Sequence, residues 1–217
     1  MIPAYNESTV IGAVIADVRR YTEHVVVIDD CSRDSTATAA REAGAIVLRH
    51  VINRGQGAAI QTGLEFALRN GAGTIVTFDA DGQHSADDLP VVLAAIHEQK
   101  ADFVLGSRFA GGSDVPALRR ITLKCAVLFT RLTSGLRVTD AHNGLRAFSR
   151  RGGAAIHIHL DRMAHASEIM DQIRASGLPY VEVPVRVRYT EYTRRKGQRG
   201  VHAIRVAFDY LFGRWVR

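Results

Sequence analysis

Apolar positions along the chain fall into segments of two alternating kinds. Residues 9–21 place Val10, Ile11, Val14, Ile15 and Val18 at helical spacing. Residues 24–29 (HVVVID) form a continuous β-branched run, the composition of a strand buried on both faces. The alternation continues with a helix over 34–43 that stops at Gly44, and a strand over 45–49. A helix over 55–69 carries Ile60, Leu64, Ala67 and Leu68 on one face. A strand over 74–79, a helix over 88–98 and a strand over 102–107 follow. This order predicts an α/β fold with a mostly parallel sheet covered by helices. At the start, Met1-Ile2-Pro3 leads straight into a loop-like Ala4-Tyr5-Asn6-Glu7, so the first strand is expected to be a stub.

Beyond residue 110 the pattern changes. Residues 117–134 read as an apolar helix that carries Arg119, Arg120, Lys124 and Arg131. Residues 144–149 are a short strand or a turn, and 164–176 are helical. Residues 180–188 (YVEVPVRVR) alternate strictly, as a strand with one wet face does. A basic polar stretch over 190–200 precedes a second amphipathic helix over 201–216, with Ile204, Phe208, Leu211, Phe212 and Trp215. With no repeat and no linker, residues 1–217 read as one domain, of which 190–217 form a basic loop and an amphipathic helix.

Composition excludes several classes. Apolar residues make up 47% of the 217, so a disordered chain is ruled out. The net charge of +6 favours anionic partners, but no basic motif is interleaved with aromatics, so nucleic acid is not expected. Cys31 and Cys125 lie far from any C-x-x-C spacing, which argues for reduced thiols rather than a zinc site or disulfide. No apolar run approaches the roughly 18–20 residues of a membrane span, and the start lacks the pattern of a secretory signal. The expectation is a cytoplasmic protein with the option of lying on a membrane face.

Acidic residues gather where parallel strands end, the usual place for ligands in such sheets. Asp29 and Asp30 end one strand, Asp79 and Asp81 follow another, and Asp140 follows the long basic helix. Asp34, Asp87 and Asp88 are read as helix caps or turn residues. Asp79 and Asp81 are different, because positions i and i+2 of an extended chain point the same way. Their charges repel unless a cation lies between them, and hard oxygen ligands suit Mg2+ or Mn2+. Gly55-Gln56-Gly57 opens a helix whose free N–H groups can hold an anion. Its third glycine is displaced to Gly63, so it is no dinucleotide fingerprint, and helix packing explains it equally well.

Taken in order, the motifs are Pro3-Ala4-Tyr5-Asn6-Glu7, Val27-Ile28-Asp29-Asp30-Cys31-Ser32-Arg33-Asp34, Asn53-Arg54-Gly55-Gln56-Gly57, Asp79-Ala80-Asp81-Gly82-Gln83 and Gly106-Ser107-Arg108-Phe109. Together they resemble a family 2 glycosyltransferase of the GT-A fold, most of all the branch that contains dolichyl-phosphate mannosyltransferase and bacterial polyprenyl-phosphate glycosyltransferases. The resemblance implies metal-dependent, inverting transfer of a sugar from a UDP-, GDP- or dTDP-sugar to a polyprenyl phosphate. A polysaccharide or other soluble glycan acceptor, and a non-catalytic nucleotide-binding paralogue, remain as alternatives.

The resemblance also implies roles. Pro3, Ala4, Tyr5, Glu7, Asp29, Asp30 and Gly57 would line the nucleotide pocket. Asp79 and Asp81 would hold the metal, with Asp81 the more direct ligand, and Gln83 would face the sugar or diphosphate. Arg108 would stand near the acceptor or diphosphate. Within Asp140-Ala141-His142-Asn143-Gly144-Leu145-Arg146, Asp140 becomes the acceptor-side carboxylate and Arg146 an anion binder. Arg194, Arg195 and Lys196 would close over the diphosphate. A hydroxyl acceptor would need a general base, for which Asp140 is first in line and Glu168 the reserve.

Overall fold

The computed structural model describes residues 1–110, 115, 117–160 and 164–188. Three parallel strands, β1 (Ile2–Ala4), β2 (Val26–Asp29) and β3 (Ile46–Arg49), pair in that order. Four more, β4 (Thr74–Thr77), β5 (Phe103–Ser107), β6 (Arg146–Ser149) and β7 (Tyr180–Pro184), pair in the order β4-β6-β5-β7. Two hydrogen bonds join the groups. The Met1 amino nitrogen donates to the Val76 carbonyl at 2.6 Å, and the Phe78 amide donates to the Met1 carbonyl at 3.0 Å. This is the bond pattern of parallel neighbours, so β1 runs beside β4.

The stub at the start is therefore central. Ile2, Pro3 and Ala4 are all buried, with β2 on one side and the end of β4 on the other. Residues 144–149 supply β6, which is antiparallel to both β4 and β5 and separates them. Its neighbour Gly106 faces the Leu145 carbonyl so closely that an added Cβ would lie 2.8 Å from that oxygen.

Helices cover both faces. They are α1 (Ile11–Val18), α2 (Thr36–Glu42), α3 (Gln56–Arg69), α4 (Leu89–His97), α5 (Ala117–Ser134), α6 (Arg150–Ala154) and α7 (His165–Ser176). β5 shows how one strand serves two cores. Val104 packs with Ile11, Ile15 and Val92 on one face, while Phe103 and Leu105 pack with Leu64, Ile169 and Met170 on the other. Phe103 and Phe148 meet edge to face, with ring centroids 6.1 Å apart.

Some local expectations shift. The alternation over 180–188 holds from Val183, with Val185 and Val187 buried and Arg186 and Arg188 exposed, but the strand ends at Pro184. Asp34 makes the expected turn, accepting the Thr36 amide at 3.0 Å. Asp88 stands where a cap would, yet its side chain accepts the Arg186 amide at 2.8 Å and ties α4 to the segment after β7. The short helix α6 had no signal in the apolar pattern; the Ser149 hydroxyl caps it by accepting the Gly152 amide at 3.0 Å. The basic loop and helix expected over 190–217 lie outside the described residues.

Phe148 is fully buried at the contact between β6 and β5. Phe148→Ala should cost about 3–5 kcal/mol of stability through the cavity it leaves, read as a lowered urea midpoint with an unchanged slope.

Candidate active site

The carboxyl ends of β1, β2 and β4 bring three acidic groups together. Glu7 follows β1, Asp29 and Asp30 end β2, and Asp79 and Asp81 follow β4. The loop after β1 is held from the β2 side: the Asn6 amide donates to the Ser32 hydroxyl at 2.9 Å, and the Glu7 amide to the Thr36 hydroxyl at 2.8 Å. Glu7 is buried and its charge reaches Asp81. Pro3 and Ala4 lie inside β1, whereas Tyr5 is exposed.

Asp79 faces several donors. Its Oδ1 accepts from Gln56 Nε2 at 3.3 Å and its Oδ2 lies 3.1 Å from His84 Nε2. Burial works against its charge, but the His84 hydrogen bond and the nearby charges of His84, Arg146 and His165 outweigh that and hold its pKa below the usual carboxylate value. Asp81 goes the other way. Burial first, then the charge of Asp79, push its carboxyl above the usual value. The Gln83 backbone amide donates to Asp81 Oδ1 at 3.0 Å and its side-chain amide to Oδ2 at 2.8 Å, so Gln83 is turned onto the carboxylate.

Two carboxylates whose charges oppose each other suit a divalent cation. Among the described residues no cluster of three His, Cys, Asp or Glu side chains is set to hold one. Hard cations bound by only one or two carboxylates complete their shell with water and phosphate oxygens, and Asp79 with Asp81 fits that mode. Gly144 makes room for it: a Cβ there would fall 2.0 Å from Asp79 Oδ2.

Asp29 and Asp30 are both buried. Asp29 lies 3.1 Å from Arg49 Nε and accepts the Ser32 amide at 3.2 Å. Asp30 accepts from the Arg54 amide at 2.9 Å, the Gly55 amide at 2.6 Å and His50 Nδ1 at 2.8 Å. Gly55 has φ of 94°, in the region that favours glycine, and opens α3 with Gly57 buried in its first turn.

A buried ion pair lies just past the carboxyl end of β5. Arg108 Nε donates to Asp140 Oδ2 at 2.6 Å, the Arg108 amide donates to the same oxygen at 3.1 Å, and Arg108 Nη2 donates to the His142 carbonyl at 3.0 Å. Asp140 Oδ1 accepts the His142 amide at 3.3 Å. Both oxygens of the expected acceptor-side base are thus engaged. Glu168, the reserve, is buried and accepts the His159 and Leu160 amides at 3.1 and 2.8 Å. Burial lowers the Arg146 pKa to about 10, which leaves it charged at neutral pH, and lowers His142 to about 4, which leaves it neutral.

The structure puts Glu7, Asp30, Asp79 and Asp81 just past the carboxyl ends of β1, β2 and β4, Arg108 just past β5, and Arg146 at the first residue of β6. The sequence reading gave no role to Gln56, His50, Thr62 or His84. His84 directly follows Gln83, and His50 directly follows β3, so the strand-end rule that found the aspartates also pointed to them. Arg194, Arg195 and Lys196 lie outside the described residues.

Residues 1–152 match the family model described as glycosyl transferase family 2. The chain is 35% identical over 217 residues to an uncharacterized protein of Methanocaldococcus jannaschii, covering 97% of this chain and 89% of that one. It is 30% identical to the UDP-N-acetylglucosamine–dolichyl-phosphate N-acetylglucosaminyltransferase of Methanococcus voltae, covering 97% and 93%. It is 31% identical to the polyprenol monophosphomannose synthase of Mycolicibacterium smegmatis, covering 85% and 75%. In fold it resembles Mycobacterium tuberculosis glucosyl-3-phosphoglycerate synthase, crystallised with Mn2+ and UDP-glucose, at a TM-score of 0.74 and 17% identity, covering 95% of this chain and 73% of that one. The chain belongs to glycosyl transferase family 2 and has the GT-A fold.

Proposed function

We propose that this glycosyltransferase moves a sugar from a nucleoside-diphosphate sugar to a polyprenyl phosphate, inverting the anomeric centre, and that residues 1–217 act as one catalytic domain. The observation that carries the acceptor assignment is the buried Arg108–Asp140 pair. A hydroxyl acceptor needs a base to take its proton. Asp140 and Glu168, the two carboxylates that would serve, already accept hydrogen bonds from their own chain. A lipid phosphate arrives ionised near pH 7 and needs no base. The relatives named for dolichyl-phosphate and polyprenol-phosphate products support the same choice.

In this reading Glu7, Tyr5, Asp29 and Asp30 bound the nucleoside, and the N-terminus of α3 faces the diphosphate. Asp79 and Asp81 would hold Mg2+ or Mn2+, which would supply positive charge for the diphosphate leaving group. Arg146 adds fixed positive charge behind Asp79. Arg108, held rigid by Asp140, faces the incoming phosphate. The basic run Arg194-Arg195-Lys196 supplies further contacts to phosphate.

The acceptor class also asks for a membrane surface. No helix among the described residues is long and apolar enough to cross a membrane. On α5, Ile121, Leu128 and Leu132 are 61%, 58% and 77% exposed, along one side of the helix with exposed Arg120, Lys124 and Arg131. Apolar side chains flanked by basic ones suit the interface of an anionic bilayer, which supports action at the cytoplasmic membrane face.

Incubation with Mg2+ or Mn2+, a panel of UDP-, GDP- and dTDP-sugars and a short polyprenyl phosphate should give a metal-dependent glycosyl lipid phosphate, detected by mass spectrometry. Nucleoside diphosphate release without that product would instead assign another acceptor. Asp81→Ala should abolish turnover while circular dichroism stays unchanged. Gly144→Ala, which pushes Asp79 off its position, should lower kcat about 100-fold, the scale of an ångström-sized misplacement. Sedimentation with anionic vesicles should pull down the wild type, and the Leu128→Asp, Leu132→Asp double variant should stay in the supernatant; equal pelleting of both would remove α5 from the interface.

A further inference from the structure

We infer that His50 is a positioning residue for the donor nucleotide, acting through Asp30. The inference rests on the reading above that Asp30 faces the nucleoside.

His50 sits just past the carboxyl end of the edge strand β3, and its side chain is 12% exposed. Its Nδ1 lies 2.8 Å from Asp30 Oδ1 and its Nε2 lies 3.0 Å from the Thr62 hydroxyl on α3. An ionised carboxylate only accepts, so Nδ1 carries a hydrogen and donates it to Asp30, while Nε2 shares a hydrogen bond with the Thr62 hydroxyl. The imidazole therefore spans from the end of β2 to the side of α3 with both nitrogens engaged.

Asp30 is the hub of this arrangement. A carboxylate offers about four lone-pair sites, and His50, the Arg54 amide and the Gly55 amide take three of them. The Asn53 side chain donates to the Asp30 carbonyl at 3.0 Å, so the 53–55 turn is gripped at both ends of the residue. That turn leads into Gln56, whose amide reaches Asp79 at 3.3 Å. A continuous line of contacts thus runs from Thr62 through His50, Asp30 and the turn to the metal-side carboxylate. Three protein donors also fix the rotation of the Asp30 carboxylate, leaving one direction in which it can accept from a ligand. Without His50 the carboxylate keeps the two backbone amides but loses the side-chain donor that ties it to the end of β3 and, through Thr62, to the side of α3, so its hold on the amides that open α3 loosens.

The consequence falls on donor binding and spares the acceptor side, where Arg108 and Asp140 are held by other elements. Calorimetric titration with UDP, GDP and dTDP in Mg2+ measures it directly, with steady-state kinetics alongside. His50→Ala should weaken whichever nucleoside diphosphate the wild type binds about tenfold, the scale of one hydrogen bond to a charged group. The donor KM should rise by a similar factor, with the acceptor KM unchanged and kcat within about threefold. His50→Asn restores a donor at the Nδ1 position and should recover most of the loss. Thr62→Val, which keeps the shape of the side chain, should weaken binding about threefold through the freed ring.

A folded His50→Ala protein that binds like the wild type overturns the inference, as does a loss shared equally by donor and acceptor KM. Should His50→Ala not fold, wild-type affinity in both His50→Asn and Thr62→Val together with an unchanged donor KM in Thr62→Val overturns it. A wild type that binds none of the three nucleotides overturns the nucleotide role of Asp30 itself, and the inference with it. Wild-type binding with an unaffected His50→Ala sinks only the role of His50.

Discussion

The structure turns on the parallel contact between β1 and β4. The sheet portion β1-β2-β3 carries Glu7 and Asp30, and the portion β4-β6-β5-β7 carries Asp79, Asp81 and the Arg108–Asp140 pair. Among the described residues, the hydrogen bonds from Met1 to Val76 and from Phe78 to Met1 continue the ladder between them. Buried amides and carbonyls must be paired, and here that demand sets the separation of the two halves of the site. Gln56, bonded to Asp79 from the other portion, then spans a gap that the backbone has already fixed.

Charge organises what this contact assembles. Asp79 is surrounded by His84, Arg146 and His165, and its anionic form is favoured. At Asp81 the Gln83 amide and the His84 charge favour the anion, but burial and the charges of Asp79 and Glu7 outweigh them. One member of the pair is compensated by protein more fully than the other. Beyond β5 the compensation is closer, because Arg108 and Asp140 pair with each other in the interior, where a lone charge would be costly.

Much of this was legible in the chain. Continuous β-branched runs marked β2 and β4, helical spacing marked α1 and α3, and the aspartates at strand ends marked the groove. Three things were not. A three-residue strand carries too little periodicity to register, so β1 read as a stub although it lies at the centre of the sheet. The antiparallel direction of β6 comes from its partners, since Arg-Ala-Phe-Ser has no orientation of its own. Hydrogen-bond economy was hidden as well. Asp140 reads as a free carboxylate in sequence because nothing there says that Arg108, distant along the chain, binds its Oδ2 through both side chain and amide. The same holds for His50, whose partner Thr62 lies on the far side of the turn that both of them support.

The placement of β6 sets the order in which the protein can form. β4 and β5 emerge from synthesis without a mutual hydrogen-bond partner, because the strand that separates them is made later: Thr74 waits for Ser149, and Phe103 waits for Phe148 and for Tyr180. Until then β5, buried along its whole length in the finished fold, and one side of β4 present open edges. Closing loops of that length before any contact rewards them makes folding slow. The enzyme therefore passes through an interval in which a strand of its core is still an open edge, the kind of surface through which partly folded chains aggregate.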